Sequence, residues 1–126
     1  MEFKSNKGIY LQIAENICNQ ILEGKLEENK RVPSIRELAV EMEVNRNTVM
    51  RTFSFLQDEE IFVNKRGVGF FVADNASKLI LKKEKQNFFK NEFPYLIKKI
   101  KLLKLNSEDL QELILEMKNN DTHENK

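Results

Sequence analysis

The sequence lacks most of the residues from which enzymes build catalytic and metal sites. Its 126 residues include one cysteine, one histidine and no tryptophan. The single cysteine, Cys18, cannot form an intramolecular disulfide, and we expect a buried core residue in a reducing cytoplasm. His123, in a polar tail, cannot ligate zinc or perform acid–base catalysis by itself. Without a phosphate loop or a nucleophile–base pair, the pattern predicts neither an enzyme nor a cofactor or metal site.

The sequence also lacks long apolar runs and a large net charge. No run approaches the roughly 20 apolar residues of a membrane-spanning helix, and the polar start of the chain does not resemble a secretion signal. We therefore expect a cytoplasmic protein with no membrane partner. The formal net charge is only +1 at pH 7, so bulk charge alone gives no indication of nucleic-acid binding.

Two short amphipathic segments, joined by a turn, occupy the middle of the chain. Residues 34–42 predict a helix in which Ser34 and Glu37 have the spacing of a capping box. Asn45 is a favourable N-cap for a second helix over residues 46–59. One face of this second helix carries three apolar residues at helical spacing, which predicts that the face is buried: Val49, Phe53 and Leu56.

The opposite face of the second helix carries side chains that suit DNA bases. Its members are Arg46, Asn47, Met50 and Arg51. Arginine matches guanine and asparagine matches adenine in the major groove, and a helix-turn-helix presents the N-terminal residues of its second helix to the bases. The pattern therefore predicts a helix-turn-helix that reads DNA. An ordinary helical hairpin with a solvated polar face is the alternative that the pattern alone leaves open.

A β-hairpin with a cationic turn follows the two helices. The β-branched and aromatic runs at residues 61–63 and 70–73 predict two strands, and the turn between them contains Lys65, Arg66 and two glycines. Glycines let a turn approach the sugar-phosphate backbone closely, and the two cations suit phosphates or the minor groove. After a helix-turn-helix such a hairpin is typical of a wing, although a Gly-x-Gly turn by itself indicates only a plain hairpin.

The first and last parts of the chain predict supporting helices. Residues 9–23 repeat isoleucine every four positions, residues 78–104 form a long helical pattern that Pro94 interrupts, and Ser107 is placed to cap a last helix. The last two helices cannot form a core by themselves, so their apolar stripes fold back on the rest of the chain or pair with a second copy. A membrane-facing amphipathic helix is a weaker alternative, because the stretch has no tryptophan.

Pairing with a second copy suits a protein that reads two half-sites about one helical turn of DNA apart. We therefore expect the apolar residues of the last two helices to form a dimer contact. These dimerisation residues are Phe89, Phe93, Leu96, Ile97, Ile100, Leu110, Leu113, Ile114 and Met117.

Taken together, these motifs resemble the N-terminal domain of the GntR family of bacterial transcription regulators. The resemblance is collinear over residues 9–72, from Ile9-Tyr10-Leu11-Gln12-Ile13 to Gly67-Val68-Gly69. It implies a winged helix-turn-helix in which Ser34 and Thr48 anchor phosphates and Arg36 matches a family arginine that contacts DNA. The DNA-binding residues given by pattern and resemblance together are Ser34, Arg36, Asn45, Arg46, Asn47, Thr48, Met50, Arg51, Lys65, Arg66 and Gly67.

The chain departs from the family pattern at three positions. Asn29 and Glu60 stand where the family usually has glycine, and Met50 stands where an arginine or polar residue is common. Asparagine tolerates a left-handed backbone, whereas glutamate in that conformation costs on the order of 1 kcal/mol relative to glycine. We expect the turn at Glu60 to persist, and Met50 to contact a thymine methyl group or simply to pack.

The sequence thus predicts a mostly α-helical fold with a small β-hairpin wing. We expect a winged helix-turn-helix domain over residues 1–76, a helical dimerisation region over residues 77–118 and a disordered tail over residues 119–126. The short C-terminal part resembles the YtrA-like subgroup, whose C-terminal helices are dimerisation devices. It leaves no room for an effector-binding or aminotransferase-like domain, and these residues define no small-molecule effector.

The expected function is transcription regulation by a repressor that binds a palindromic double-stranded DNA operator as a homodimer. The alternative is a winged-helix protein-interaction scaffold that has lost DNA binding. Such a scaffold would keep the core residues of the second helix and lose its arginines. Because Arg36, Arg46 and Arg51 are all present, the sequence favours the regulator.

Overall fold

A computed structural model of the chain describes residues 8–124, which form two compact units. The first unit ends at Glu84 and the second begins at Lys85. The fold is mostly helical with one two-stranded antiparallel hairpin, as the sequence predicts. The elements are α1 (Ile9–Leu22), α2 (Ile35–Met42), α3 (Arg46–Asp58), β1 (Phe62–Lys65), β2 (Gly69–Val72), α4 (Ala76–Asn87), a π-helical turn (Phe88–Glu92), α5 (Phe93–Leu102) and α6 (Gln111–Glu124).

The core of the first unit forms between α1, α2, α3 and the hairpin. The predicted apolar face of α3 is buried: Val49 and Leu56 are fully inaccessible and Phe53 is 1% exposed. The isoleucine repeat of α1 meets this face through Ile13, Ile17 and Ile21, whereas Ile9, in the first turn, is exposed. The predicted packing of α1 behind the other two helices is therefore confirmed.

Both caps predicted for the helix-turn-helix are present. The hydroxyl oxygen of Ser34 accepts a hydrogen bond from the backbone N–H of Glu37 at 3.0 Å, and the Glu37 carboxylate accepts one from the Ser34 N–H at 2.9 Å. The bond from the Ser34 N–H, together with one from the Ser34 hydroxyl, lowers the pKa of the Glu37 carboxyl group. At the start of α3, the side-chain oxygen of Asn45 accepts from the N–H of Asn47 at 2.8 Å. The two caps fix where α2 and α3 begin.

The hairpin is longer toward its tip than the sequence predicts. Its register runs from Phe62 opposite Val72 to Lys65 opposite Gly69, so the predicted turn over residues 64–69 contracts to the residues between Lys65 and Gly69. The connection after α1 lies along the outer edge of β2, where the Val32 N–H donates to the Phe70 carbonyl at 2.9 Å. The connection therefore covers the edge of β2 that β1 leaves open.

Two non-glycine residues predicted to be in tight turns have left-handed backbones. Asn29 has φ of 68° and Glu60 has φ of 65°. The N–H groups of Glu60 and Ile61 donate back to the Gln57 and Leu56 carbonyls, at 2.9 Å each. The turn after α3 therefore persists as predicted, even though glutamate replaces the glycine that suits this conformation.

The first unit extends further along the chain than the predicted boundary after residue 76. Ile80 in α4 is 2% exposed and belongs to the core, and Leu79 packs against that core. Beyond them, the Lys83 amine lies 2.7 Å from the Glu59 carboxylate. The sequence alone does not predict that the first turns of α4 belong to the first unit, because their burial depends on contacts with distant segments.

The second unit differs from the prediction at the start of its last helix. Ser107 is not the N-cap of a helix. Instead, Asn106 and Asp109 bond reciprocally, each side chain accepting from the other's N–H at 2.9–3.0 Å, and they form a turn before α6 begins at Gln111. These reciprocal bonds close a local turn around residues 107–108, so α6 begins only after it.

The chain also remains helical beyond residue 118, where the sequence predicts a disordered tail over residues 119–126. Helix α6 continues to Glu124 and so includes the backbone of His123, while residues 125–126 lie outside the described part of the chain. Pro94, predicted to interrupt a long helix, stands in the first turn of α5, directly after the π-helical turn. In residues 8–124, none of the helices is both long enough and apolar enough to cross a bilayer.

The backbone of Glu60 provides a test of the turn after α3. Replacing this exposed residue with glycine removes the strain of a side chain at positive φ, which costs about 1–2 kcal/mol. Part of this gain is lost, because glycine gives the unfolded chain more conformational entropy. We expect Glu60→Gly to raise the free energy of unfolding by about 0.5–1 kcal/mol, as measured by urea denaturation. The matched control, Gln57→Gly, lies on an exposed position inside α3 and should lower it by about 1 kcal/mol. A destabilising Glu60→Gly would contradict the left-handed turn.

Candidate nucleic-acid interface

The first turns of α3 present the predicted reading face to solvent. Arg46 and Asn47 are exposed at the N-terminal end of the helix, and Met50 is half exposed. With 3.6 residues per turn, Met50 lies almost directly above Arg46 along the helix axis. All three side chains are therefore exposed on the first turns of the helix, beside the buried face that Val49 and Phe53 occupy.

A second element brings another predicted cation to the same region. An open depression between α2 and the start of α3 has both Arg36 and Arg46 in its lining, together with Asn45 and Glu43. The tight turn between the helices makes this possible, because Glu43 adopts a left-handed backbone with φ of 56°. Two arginines ten positions apart in the sequence thus border one concave surface, as the helix-turn-helix interpretation requires.

The hairpin provides the predicted wing. Arg66 and Gly67 lie exposed in its turn, where Gly67 has φ of 80°. The Lys65 amine lies 4.2 Å from the centre of the Phe71 ring, a cation–π contact that holds the amine on the outer face of the hairpin. The wing thus combines an exposed cation in its turn with a second cation that the sheet holds in place.

Arg31 also belongs to the wing, although the sequence motifs do not indicate it. Residue 31 forms a β-bridge with Phe71 along the edge of β2. Its guanidinium lies over Gly69, where an added Cβ would be 2.9 Å from the Arg31 Nε. In the sequence, only Pro33 indicates an extended segment here, because proline restricts the residue before it to an extended backbone. A side chain at position 69 would displace the guanidinium.

Arg51 does not share the environment of the other residues on its predicted face. Its guanidinium carbon lies 4.1 Å from the centre of the Tyr10 ring on α1. In residues 8–124, no aromatic ring lies against the Arg46 guanidinium in this way. The structure therefore divides the predicted reading face into an outward group of three and one arginine that is held against α1.

The remaining titratable candidate, Cys18, lies in the core as predicted. Burial, reinforced by the nearby carboxylates of Glu84 and Glu15, raises the pKa of the Cys18 thiol to about 11. The group is therefore protonated at neutral pH and poorly suited to redox or metal chemistry. Among the described residues, no three His, Cys, Asp or Glu side chains are grouped as a metal site requires.

In the second unit, no described side chain from Lys85 onward is buried. Phe88, Phe89 and Phe93 form an aromatic cluster around the π-helical turn, with ring centres 5.3–6.0 Å apart. Phe89 is 59% exposed and Met117 is 51% exposed. The predicted dimerisation residues are all exposed or half-buried within this unit: Phe89, Phe93, Leu96, Ile97, Ile100, Leu110, Leu113, Ile114 and Met117.

Comparison with known proteins agrees with this geometry. The sequence profile of the bacterial regulatory proteins of the gntR family matches residues 9–72. The chain is 33% identical over 94 residues to the HTH-type transcriptional repressor YtrA of Bacillus subtilis, covering 75% of this chain and 72% of that protein. The matched segment contains the helices, the turn and the wing described above.

Solved structures give the same result. A GntR-family putative transcriptional regulator from Bacteroides thetaiotaomicron has 41% sequence identity and a TM-score of 0.72, covering 90% of this chain and 99% of that one. The DNA-binding domain of AraR, solved in complex with its operator ORX1, has 27% identity and a TM-score of 0.52 over 56% of this chain and 84% of that one. The proteins matched by sequence and by structure are transcription regulators and not enzymes.

The family profile matches more than half of the chain, and YtrA is similar to it over most of both lengths. These two matches establish the family. The chain belongs to the gntR family of bacterial regulatory proteins, and it is a DNA-binding transcription regulator with a winged helix-turn-helix fold.

Proposed function

We propose that the protein is a repressor that binds a palindromic operator as a homodimer. One observation carries the reading site: Arg46 and Asn47 are exposed at the start of α3, while the apolar face of the same helix is fully buried. The helix is thus anchored on one side and open at its N-terminal end on the other, as major-groove recognition requires. That YtrA is a repressor and that AraR binds an operator support the same proposal.

Base reading falls to Arg46, Asn47 and Met50. Arg46 has the fork of donors that pairs with the O6 and N7 of guanine, and Asn47 has the donor and acceptor that pair with adenine. Met50, half exposed one turn above Arg46, presents an apolar surface suited to a thymine methyl group. This assignment predicts an operator half-site in which neighbouring positions prefer guanine, adenine and thymine.

Phosphate contacts fall to the residues that begin α2 and α3. The Ser34 oxygen accepts from the Glu37 N–H, and its hydroxyl lies at the start of α2, where a phosphate can accept its proton in place of the Glu37 carboxylate. In the same way, the Asn45 oxygen accepts from Asn47, which leaves its amide N–H₂ as a donor. Arg36, in the depression beside Arg46, and the half-buried Thr48 complete this group. These contacts fix the register of α3 in the groove without reading sequence.

The wing contact consists of Lys65, Arg66 and Gly67, and we add Arg31 to it. Lys65 and Arg31 both lie on the outer side of the sheet, one over the Phe71 ring and the other over Gly69. Arg66 and Gly67, in the turn, can approach the sugar-phosphate backbone closely. The wing thus adds sequence-independent affinity beside the groove that α3 reads.

Dimerisation falls to the second unit, whose apolar side chains are exposed in the single chain. Burying half-exposed leucine, isoleucine and phenylalanine side chains stabilises an assembly by about 25 cal/mol per Å² of apolar surface removed from water. A second copy presents the same stripe, and a symmetric pairing of the two places two recognition helices on one duplex. The palindromic form of the operator follows from this symmetry.

The direct test is selection of random duplexes by the purified protein at near-physiological salt, followed by sequencing of the bound fraction. We expect an enriched palindrome with half-sites about one helical turn apart. Arg46→Ala and the charge-matched control Lys25→Ala, on the exposed connection after α1, are selected in parallel. Failure of the folded wild-type protein to enrich any sequence would contradict the proposed reading function and favour a scaffold role.

Arg46→Ala should weaken binding to the selected operator by about 1–3 kcal/mol and relax preference at one base position. The reason is the loss of a bidentate contact to a base edge, which no neighbouring side chain replaces. Fluorescence anisotropy titrations against the operator and its single-base variants measure both effects. Lys25→Ala should retain the wild-type base preference. Unchanged discrimination in Arg46→Ala would show that α3 is not the reading helix.

Lys65→Ala should weaken binding to specific and unrelated duplexes alike. Removing one phosphate contact lowers the slope of log affinity against log salt concentration by about 0.9. Titrations at four or more salt concentrations give this slope, and Lys65→Arg, which retains the charge, should keep it. An altered base preference with an unchanged slope would instead assign Lys65 to base reading.

The dimer contact is tested by Ile97→Glu, which places a charge in the apolar stripe of α5. We expect this variant to sediment as a monomer at micromolar concentration and to bind a half-site as well as the full palindrome. The neighbouring Lys98→Glu also changes the charge, but it is exposed beside the stripe and should remain dimeric. Circular dichroism verifies that both variants keep their helical content. A dimeric Ile97→Glu would place the contact elsewhere.

A further inference from the structure

The environment of Arg51 indicates a role different from that of the other residues on α3. Its guanidinium lies face-on to the Tyr10 ring, with 4.1 Å between the guanidinium carbon and the ring centre. Arginine stacks on aromatic faces while its five N–H donors point outward in the guanidinium plane. Stacking therefore fixes where the charge lies without using its hydrogen-bonding capacity.

Tyr10 is itself held rigidly by the helix that carries Arg51. Its ring packs edge-on against Phe55, with ring centres 6.3 Å apart. Its backbone carbonyl accepts a hydrogen bond from the Thr52 hydroxyl at 2.8 Å, and Thr52 is fully buried. Contacts from Phe55 and Thr52 of α3 thus hold Tyr10 of α1 in place, and Tyr10 becomes a fixed platform for Arg51.

The position of Arg51 along the helix separates it from the floor of the major groove. A helix-turn-helix reads bases with the first residues of its second helix, and Arg51 lies a full turn beyond Asn47. The contact with Tyr10 also holds the Arg51 side chain against α1, whereas Arg46 and Met50 are exposed at the start of α3. The edge of the groove, where phosphates run, is the DNA surface nearest to a cation placed in this way.

From this geometry we propose that Tyr10 is a positioning residue that holds Arg51 as a phosphate clamp and keeps it out of base reading. The inference rests on the proposed function, since it assigns a role within the same interface. It changes the assignment of Arg51 from a base-reading candidate to an anchor. Ordering the guanidinium before DNA arrives removes part of the entropy lost on binding, an effect we expect to be about three- to tenfold in affinity.

The test is a double-mutant cycle with Tyr10→Leu and Arg51→Ala, read by affinity for the selected operator and for an unrelated duplex. Arg51→Ala should lower the salt slope by about 0.9 and leave the base preference unchanged. Tyr10→Leu, which keeps apolar packing against Phe55, should weaken both duplexes about three- to tenfold. In the Arg51→Ala background, Tyr10→Leu should not lower the affinity further. The control Tyr10→Phe, which keeps the ring, should bind DNA as the wild type does.

Arg51→Lys gives a second measurement that does not disturb the contact between α1 and α3. Lysine keeps the positive charge. It lacks the planar guanidinium group, which stacks on a ring while it presents its N–H donors in a fixed fork. We expect it to retain the wild-type salt slope and to lose the same affinity as Tyr10→Leu. Thermal unfolding of each variant, without DNA, shows which of them retain the fold.

Two outcomes would overturn the proposal and leave the proposed function intact. Relaxed preference at a base position in Arg51→Ala would make Arg51 a base reader. If Tyr10→Leu lowered DNA affinity equally in the wild-type and the Arg51→Ala backgrounds, Tyr10 would act only through the fold. Absence of any selected sequence with the wild-type protein is the separate result that would contradict the proposed function itself.

Discussion

Burial of one face of α3 is the constraint on which the rest of the structure depends. Val49 and Leu56 are inaccessible to solvent and Phe53 is 1% exposed, and burying side chains of this size stabilises the fold by about 1.5–3 kcal/mol each. Since these residues repeat along a single stripe, their burial also decides the rotation of the helix about its axis. Arg46, Asn47 and Met50 are therefore exposed as a consequence of core packing.

The same core places the wing relative to the recognition helix. Phe53 packs edge-on against Phe62 of β1 and Phe70 of β2, with ring centres 5.1 and 4.9 Å apart. Aromatic pairs of this geometry add to the stability given by burial alone. One residue of α3 thus contacts both strands, and a change in the position of the hairpin would have to disturb the centre of the core. The distance between the groove-reading surface and the wing is fixed by these rings.

The parts of the fold that depend on local sequence could be predicted from it. The Ser34–Glu37 capping box, the Asn45 cap and the buried stripe of α3 each involve residues within a few positions of one another, and the structure confirms all three. The extent of the first unit and the placement of Arg31 could not be predicted, because Ile80 is buried by distant segments and residue 31 pairs with Phe71. The predicted cap at Ser107 is wrong, because Asn106 and Asp109 close a turn there instead.

The modest charge of the chain gives the placement of each cation particular weight. A net charge of +1 provides little general attraction to DNA, so affinity has to come from cations that are already in place when the duplex arrives. Two of them lie on aromatic rings, Lys65 on Phe71 at 4.2 Å and Arg51 on Tyr10 at 4.1 Å. Each ring belongs to a different element from the reading turn of α3, one to the wing and one to α1. The phosphate-binding charges would then be fixed on both flanks of the recognition helix, and the exposed side chains between them would be left to distinguish bases.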